Sequence, residues 1–298
     1  NLYPIAFYMA EHYLYLPSIG FFLLLAYGFV SLYNKKRFRI YTVICTFGLV
    51  GIYSYLTIEQ NNYWRDPIHF YERTLKYAKN SSRVYNNLAN CYRDIGKNEN
   101  AVVLYKKAIE IDPKNADAYN NLAVIFRNSE RIEEAVVLYK KAIEINPRHA
   151  EAYSNLAIAL YSSGKIEEAV NSYKKSIEIN PNFAAVYYNL AIAYNAMGKT
   201  EAAIESYRRA LAIDQYDADI YINLGNLYRN SGKIIEAVAS YEKAIELKPH
   251  VAAPYNNLGL LYYKEKEYKL AIEYLDKARE LGHEGDSEIL ELLRPYRE

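Results

Sequence analysis

The chain has 298 residues, of which 51% are apolar and 24% are charged. That length is enough for about two ordinary domains, and the composition excludes both a disordered chain and a fully membrane-embedded bundle. The formal net charge of +1 excludes the strongly basic surface that is typical of nucleic-acid-binding proteins. The charge is uneven, because residues 1–81 carry eight Lys/Arg against four Asp/Glu, and the rest carries 28 against 31.

Two uncharged runs stand at the start of the chain. Residues 13–33 and 40–58 contain no charged side chain, and residues 34–39 between them hold four positive charges. Each run is long enough to cross a bilayer as a helix. We therefore predict that residues 1–63 form a membrane hairpin, the end of a larger membrane domain. Short basic loops stay on the cytoplasmic side, so residues 59–298 are expected outside the cytoplasm, in a periplasmic, extracellular or lumenal space.

An acid and an imidazole lie at the start of the first apolar run, at Glu11 and His12. Such a pair at a membrane boundary could transfer protons or bind a polar lipid headgroup. The residues alone favour a simpler interpretation, in which Glu11 and His12 only mark the polar end of the helix. Both interpretations stay open at this point.

The next segment, residues 64–81, predicts a connecting helix between the hairpin and the rest of the chain. From residue 82 onward the sequence repeats every 34 residues, with repeats that begin at Ser82, Ala116, Ala150, Ala184, Ala218 and Ala252. Position 4 of each repeat is Tyr, position 6 is Asn, position 7 is Leu and position 20 is Ala. Gly at position 15 of four repeats predicts a turn between two helices, and Pro at position 32 of four repeats ends the second helix.

This period and this alternation of small and large residues resemble the tetratricopeptide repeat (TPR). The resemblance implies six pairs of antiparallel helices over residues 82–285, stacked as a right-handed superhelix, an α-solenoid. Residues 286–298 predict a C-terminal helix that caps the last apolar face. The expected fold class is therefore all-α: two transmembrane helices followed by a TPR superhelix.

The groove of a TPR superhelix is lined mainly by the first helices, where position 6 carries an amide in every repeat. An amide both donates and accepts hydrogen bonds, so a row of them can bind the main chain of an extended peptide. We predict that a protein or extended peptide binds this row, although the amides could equally bond neighbouring repeats or water. We call it the asparagine row: Asn87, Asn121, Asn155, Asn189, Asn223 and Asn257.

Three arginines share position 12 of their repeats, namely Arg93, Arg127 and Arg229. They could favour anionic ligands, or they could simply be solvated. Position 5 of the first repeat is Asn86 rather than the Lys of carboxylate-clamp TPR proteins, so a chaperone-tail clamp is not expected. The residues indicate no metal site and no cofactor.

The whole order of segments resembles one family. The stretch EHYLYLPSIGF at residues 11–21, a second apolar run, the Tyr63-Trp64 pair with a following helix, and then TPRs resemble the C-terminal part of the transmembrane TPR-containing O-mannosyltransferases and their prokaryotic relatives. The resemblance implies membrane glycosyltransferases of the GT-C type that use a lipid-linked sugar and hold their TPRs outside the cytoplasm. The family motif usually has Arg after the Glu, where this chain has His12. It also implies that the catalytic acidic residues lie upstream of this segment, so the segment alone should be inactive.

Three hypotheses about function follow. The first is a protein-binding TPR region at the end of a membrane glycosyltransferase domain, which presents an extended polypeptide acceptor outside the cytoplasm. The second is a membrane-tethered TPR scaffold for complex assembly with no catalytic activity. The third, a soluble cytosolic adaptor, conflicts with the two apolar runs.

Overall fold

The computed structural model describes residues 26–285 and 287–297, apart from the side chains of residues 56, 57, 59–65 and 287. The chain divides into two compact units, Asn1–Tyr77 and Ala78–Glu298. Glu11 and His12 lie outside the described residues, so the headgroup hypothesis stays a prediction.

The described part of the first unit consists of three helices. They are α1 (residues 26–33), α2 (Arg39–Arg65) and α3 (Pro67–Tyr77). The basic turn between α1 and α2 is fixed by Arg39, whose Nη2 donates to the hydroxyl of Tyr33 over 2.6 Å. Pro67 begins α3, a position where the missing N–H costs nothing, and the carboxylate of Asp66 accepts from the N–H of Ile68 at 2.9 Å. The connecting helix predicted for 64–81 therefore occupies a shorter segment, because the Asp66-Pro67 pair ends α2 and starts a new helix.

The prediction of two membrane-spanning helices is not supported. Among the described residues, no helix combines the length and the apolar character that crossing a bilayer requires. Most of the first uncharged run, 13–33, lies outside the described residues. The second run, 40–58, lies within α2, on which Ile44, Phe47 and Val50 are 62%, 75% and 57% exposed.

The second unit consists of six helix pairs in chain order, and the described residues form no strand. The first helix of each pair begins at the residue where the 34-residue period begins. The prediction of an all-α TPR solenoid is confirmed. The pairs are α4 (Ser82–Asp94) with α5 (Asn98–Ile111), α6 (Ala116–Asn128) with α7 (Ile132–Ile145), α8 (Ala150–Ser162) with α9 (Ile166–Ile179), α10 (Ala184–Ala196) with α11 (Thr200–Ile213), α12 (Ala218–Asn230) with α13 (Ile234–Leu247), and α14 (Ala252–Lys264) with α15 (Tyr268–Glu280).

The turn within each pair depends on position 15, which has a left-handed backbone in all six repeats. Gly96, Gly164, Gly198 and Gly232 hold φ angles between 70° and 78°, which Gly adopts without steric cost. Glu130 and Lys266 occupy the same position with φ angles of 61° and 65°. The geometry of the turn is therefore set by the fold and not by glycine alone.

The core of each repeat is a small residue on one helix packed against a large one on the other. All six alanines at position 20 are fully buried, and the tyrosines at position 24 of the first five repeats are 0–3% exposed. Position 8 is Ala in repeats 1–4 and Gly in the last two. A Cβ added to Gly225 would lie 2.5 Å from Cε1 of Tyr241, so the ring itself occupies the space of a methyl group.

The C-terminal end is covered by a helix α16 (Ser287–Leu292) and a 3₁₀ turn (Arg294–Tyr296). This helix is shorter than the one predicted for 286–298, because the chain tightens into the 3₁₀ turn at Arg294-Pro295. Leu293 is fully buried and packs with Ala271 and Leu275. The guanidinium of Arg297 binds the carboxylate of Asp276 through two hydrogen bonds of 2.7 and 2.8 Å. The cap thus shields the last repeat from water.

Candidate polypeptide-binding surface

The first helices of successive repeats form one continuous face. Contacts join α4 to α6, α6 to α8, α8 to α10 and α12 to α14, and a hydrogen bond from Asn223 to Tyr188 joins α12 to α10. Every member of the asparagine row lies on this face and is half-buried. The six asparagines therefore lie along one face, as predicted. Only those whose amides are not already hydrogen-bonded within the protein are free to bind a ligand.

Two members of the row donate hydrogen bonds to side chains on the first helix of the preceding repeat. Asn121 Nδ2 lies 3.2 Å from Oδ1 of Asn86 and 3.2 Å from Oδ1 of Asn90. Asn155 Nδ2 donates to Oδ1 of Asn120 over 3.1 Å. These bonds connect position 6 of one repeat to positions 5 and 9 of the preceding repeat.

The same pattern continues toward the C-terminus. Asn223 Nδ2 donates to the hydroxyl of Tyr188 over 3.2 Å, and Asn257 Nδ2 donates to Oδ1 of Asn226 over 3.1 Å. Four of the six amides therefore hold neighbouring repeats together. That is the alternative role considered for them from the sequence.

Two members of the row differ from the other four. The side chains of Asn87 and Asn189 make no hydrogen bond within the part of the chain that the structure describes. Half-buried amides without a partner can still bond water or a ligand. Of the row, Asn87 and Asn189 are thus the members whose amides are available to a polypeptide main chain.

Two hydrogen-bonded trios lie behind the row and were not predicted from the sequence. In repeat 1 the hydroxyl of Tyr105 donates to Oδ1 of Asn90 over 2.5 Å, and that oxygen also accepts from Asn121. In repeat 5 the hydroxyl of Tyr241 donates to Oδ1 of Asn226 over 2.7 Å, and that oxygen also accepts from Asn257. The signal that could have revealed them is Asn at position 9, which occurs only in these two repeats.

Burial controls the acidity of these tyrosines. It raises the pKa of Tyr105 and of Tyr241 to about 12, because a phenolate would have to form away from water. The positive charge of Arg93 opposes this rise at Tyr105, and that of Arg229 opposes it at Tyr241. Both hydroxyls therefore stay protonated and donate at neutral pH.

Repeat 2 has the tyrosine without the asparagine. Tyr139 is fully buried, and among the described residues its hydroxyl has no hydrogen-bond partner. Position 9 of this repeat is Val124, which cannot accept a hydrogen bond. An unpaired buried hydroxyl costs stability.

The arginines at position 12 have different surroundings. Arg93 Nη2 pairs with the adjacent Asp94 over 2.9 Å. Arg127 Nη1 donates to Oδ1 of Asn155 over 3.3 Å, so that arginine supports the asparagine row. Arg229 has no hydrogen bond or ion pair within the described residues. Of the three, Arg229 has the guanidinium most available to an anion.

The residues that the structure describes contain no group of His, Cys, Asp and Glu that could hold a metal ion. The side chains described on this surface are amides, hydroxyls and guanidinium groups, which form hydrogen bonds or carry positive charge.

Three known proteins illustrate what the chain is similar to. Protein O-mannosyl-transferase TMTC3 of Homo sapiens is 28% identical over 106 residues, which cover 36% of this chain and 12% of that protein. The crystal structure of MamA has a TM-score of 0.52 and 29% identity, covering 54% of this chain and 94% of that one. YrrB, described as a TPR protein with an unusual peptide-binding site, has a TM-score of 0.55 and 23% identity, covering 64% and 97%.

Family models match most of the repeat region. The TPR repeat model matches residues 89–129, 125–164, 159–198, 193–232 and 225–266, and a second tetratricopeptide repeat model matches 252–281. These matches run from residue 89 to 281, which is more than half of the 298 residues. The helix pairs, the left-handed turns at position 15 and the buried position-20 alanines agree with that match. The chain belongs to the tetratricopeptide repeat family.

Proposed function

We propose that this chain binds an extended polypeptide along the face formed by its first helices. The observation that carries the proposal is a pair of half-buried amides, Asn87 and Asn189, that have no partner among the described residues, within a row that is otherwise bonded from repeat to repeat. The bonded amides fix the spacing of the row, and the two open ones supply the hydrogen bonds. The peptide-binding site ascribed to YrrB, a protein with the same fold, agrees with this role.

The test uses N-acetylated, C-amidated peptides of about ten residues, each about 33 Å long when extended. Because amides bond the main chain, peptides that lack acidic residues and differ only in their other side chains should bind with similar affinity. Replacing Asn87 and Asn189 together by Ala should weaken binding about tenfold or more, since each hydrogen bond contributes on the order of 1 kcal/mol. The unfolding midpoint should not change.

A fourfold replacement provides the comparison. Asn121, Asn155, Asn189 and Asn223 changed together to Ala should weaken binding and also lower stability, because three of these amides connect repeats. Ala is a better helix former than Asn, so helix content should be kept. Unchanged affinity in the Asn87/Asn189 double variant would overturn the proposal, whatever the fourfold variant does.

We further propose that these repeats serve a membrane glycosyltransferase and present its polypeptide acceptor. The similarity to TMTC3 supports this, although the chain spans only about 12% of that protein's length. The competing proposal is a membrane-tethered scaffold with no catalytic activity. The full-length open reading frame separates them: several further apolar spans with an acidic pair in the first external loop favour the enzyme, and their absence favours the scaffold.

Membrane attachment and sidedness are part of this proposal. The uncharged runs at 13–33 and 40–58, the basic turn between them and the exposed apolar side chains of α2 support it. With Cys45 and Cys91 replaced by Ser, a cysteine at Lys140 should react with an impermeant thiol reagent applied from outside the cytoplasm. The control, Lys36→Cys in the basic turn, should react only from the cytoplasmic side. The reverse pattern would refute the topology.

A further inference from the structure

A cavity lies where the last two repeats meet the C-terminal cap. Its volume is about 600 Å³, which falls in the range of ligand-binding pockets. It is lined by residues of α12, α14 and α16: Arg229, Asn230, Leu260, Leu261, Lys264 and Ile289. The described lining therefore combines two cations and one amide with three aliphatic side chains, and none of these described residues is an acid.

Both cations are uncompensated within the described residues. Neither Arg229 nor Lys264 forms an ion pair there, whereas Lys243, Lys248 and Lys277 on neighbouring segments all do. Arg229 is half-buried, and Lys264 is exposed at the end of α14. A partly desolvated guanidinium beside a second cation favours a carboxylate, which it can bind through two parallel hydrogen bonds.

We propose that this cavity binds an acidic side chain and, two residues away, an apolar side chain of an extended polypeptide. The inference rests on the proposed function and names the chemistry of the partner. Arg229 and Lys264 bind the carboxylate, and Leu260, Leu261 and Ile289 cover the apolar side chain. The cavity thus selects segments of the form acid-x-apolar.

The spacing of two follows from the geometry of an extended chain. Successive side chains point to opposite sides, so residues i and i+2 enter the same cavity about 7 Å apart, while residue i+1 points away. If the acid and the apolar residue were adjacent in sequence, only one of the two side chains would enter the cavity. Arg229 shares position 12 with Arg93 and Arg127, so a chain that follows the first-helix face past these arginines continues to the cavity.

The probes are four N-acetylated, C-amidated peptides of about ten residues that share one polar background. They carry Glu-Ser-Leu, Gln-Ser-Leu, Glu-Ser-Ser or the adjacent pair Glu-Leu-Ser at the centre. The Glu-Ser-Leu peptide should bind about tenfold more tightly than each of the others. Its advantage over the Gln peptide should shrink as salt is added, because the carboxylate contact is ionic. Equal affinities for all four peptides would overturn the proposal.

Charge variants test the two cations. Arg229→Gln and Lys264→Gln should each remove most of the preference for Glu over Gln. Arg148→Gln, an exposed arginine between α7 and α8, makes the same charge change away from the cavity and should leave the preference intact. The double variant Arg229→Glu/Lys264→Glu should instead prefer a Lys-Ser-Leu peptide. Retention of the Glu preference in that folded double variant would refute the assignment.

Failure of this proposal can be distinguished from failure of the proposed function. If all peptides bind alike and the Asn87/Asn189 double variant weakens them all, the first-helix face binds polypeptides but the cavity selects nothing. If the Glu preference survives in the Asn87/Asn189 variant with unchanged affinity, the cavity binds without help from the row. A free-carboxylate peptide that outcompetes Glu-Ser-Leu would show that the cavity binds a chain terminus, contrary to the proposal.

Discussion

The tyrosine at position 24 is fully buried in repeats 1, 2 and 5. The hydrogen bonding of its hydroxyl differs between repeat 2 and the other two. In repeats 1 and 5 an asparagine at position 9 accepts from the tyrosine hydroxyl and from the next repeat. In repeat 2 position 9 is Val124, and the hydroxyl of Tyr139 has no hydrogen-bond partner in the part of the chain that the structure describes. A repeat position outside the conserved pattern of small and large residues therefore decides whether a buried polar group is satisfied.

The comparison also indicates that the residues that stabilise the solenoid are not the residues that line its first-helix face. Positions 8, 20 and 24 fill the space between helices in every repeat, so they carry the fold. Positions 5, 6, 9 and 12 vary in their hydrogen-bond partners along the first-helix face, and we propose that they determine which polypeptide the chain binds.

The largest effect should come from position 8 of repeat 5, where Gly225 faces the ring of Tyr241. Gly225→Ala places a methyl group in the space occupied by the Tyr241 ring and should destabilise the protein by about 1–3 kcal/mol through overpacking. Asn195→Ala, an exposed change on α10, should be close to neutral. Denaturant unfolding monitored by circular dichroism measures both. An unchanged midpoint for Gly225→Ala would show that the ring moves aside freely.

Removing one hydroxyl at a time tests the comparison itself. Tyr105→Phe and Tyr241→Phe should each cost about 1 kcal/mol, because each loses a hydrogen bond and leaves an asparagine oxygen with one donor fewer. Tyr139→Phe should cost nothing or stabilise slightly, because it removes an unpaired polar atom. The three variants make the same chemical change, so each serves as a control for the others. Equal losses in all three would contradict the account.

Supplying the missing acceptor should make repeat 2 resemble repeat 1. Val124→Asn loses apolar burial but gives the hydroxyl of Tyr139 a partner. In a double-mutant cycle with Tyr139→Phe, the coupling energy should be favourable by about 1 kcal/mol. The cycle cancels the loss of apolar burial, so only the new hydrogen bond is measured. A coupling energy of zero would show that the two side chains do not meet.

The smallest effect should come from the turn of repeat 2. Glu130 has a φ of 61°, where four other repeats use Gly. Glu130→Gly should stabilise the protein by about 0.5–1 kcal/mol, because the relief of a left-handed side chain exceeds the added entropy of the unfolded chain. Glu99→Gly, inside the first turn of α5, should destabilise it. Destabilisation by Glu130→Gly would contradict the reasoning.

The sequence was sufficient to predict the helix pairs, because the 34-residue period repeats the small and large residues six times and tertiary packing follows that period. It also located the asparagine row. It could not show that Asn121, Asn155, Asn223 and Asn257 bond the preceding repeat, since that depends on the distance between neighbouring first helices. The trios and the cavity at Arg229 likewise require residues from different repeats to meet in space.

In the first unit, by contrast, the structure does not support the prediction made from the sequence. Two uncharged runs there predicted membrane helices from length and charge alone, and within the described residues no helix is suited to span a membrane. No repeated pattern constrains this segment, so each inference rests on a single run of residues. In the second unit, by contrast, the sequence pattern occurs six times, so each prediction about a repeat is supported by six examples.

The central claim is that a polypeptide main chain bonds the open amides of the asparagine row. The direct measurement is a ¹⁵N NMR titration of side-chain amides with an N-acetylated, C-amidated peptide. The amide signals of Asn87 and Asn189 should shift with a common affinity, and those of Asn98 and Asn171, exposed on second helices, should not. Peptide binding that leaves Asn87 and Asn189 unshifted, or that shifts all four amides alike, would contradict the account.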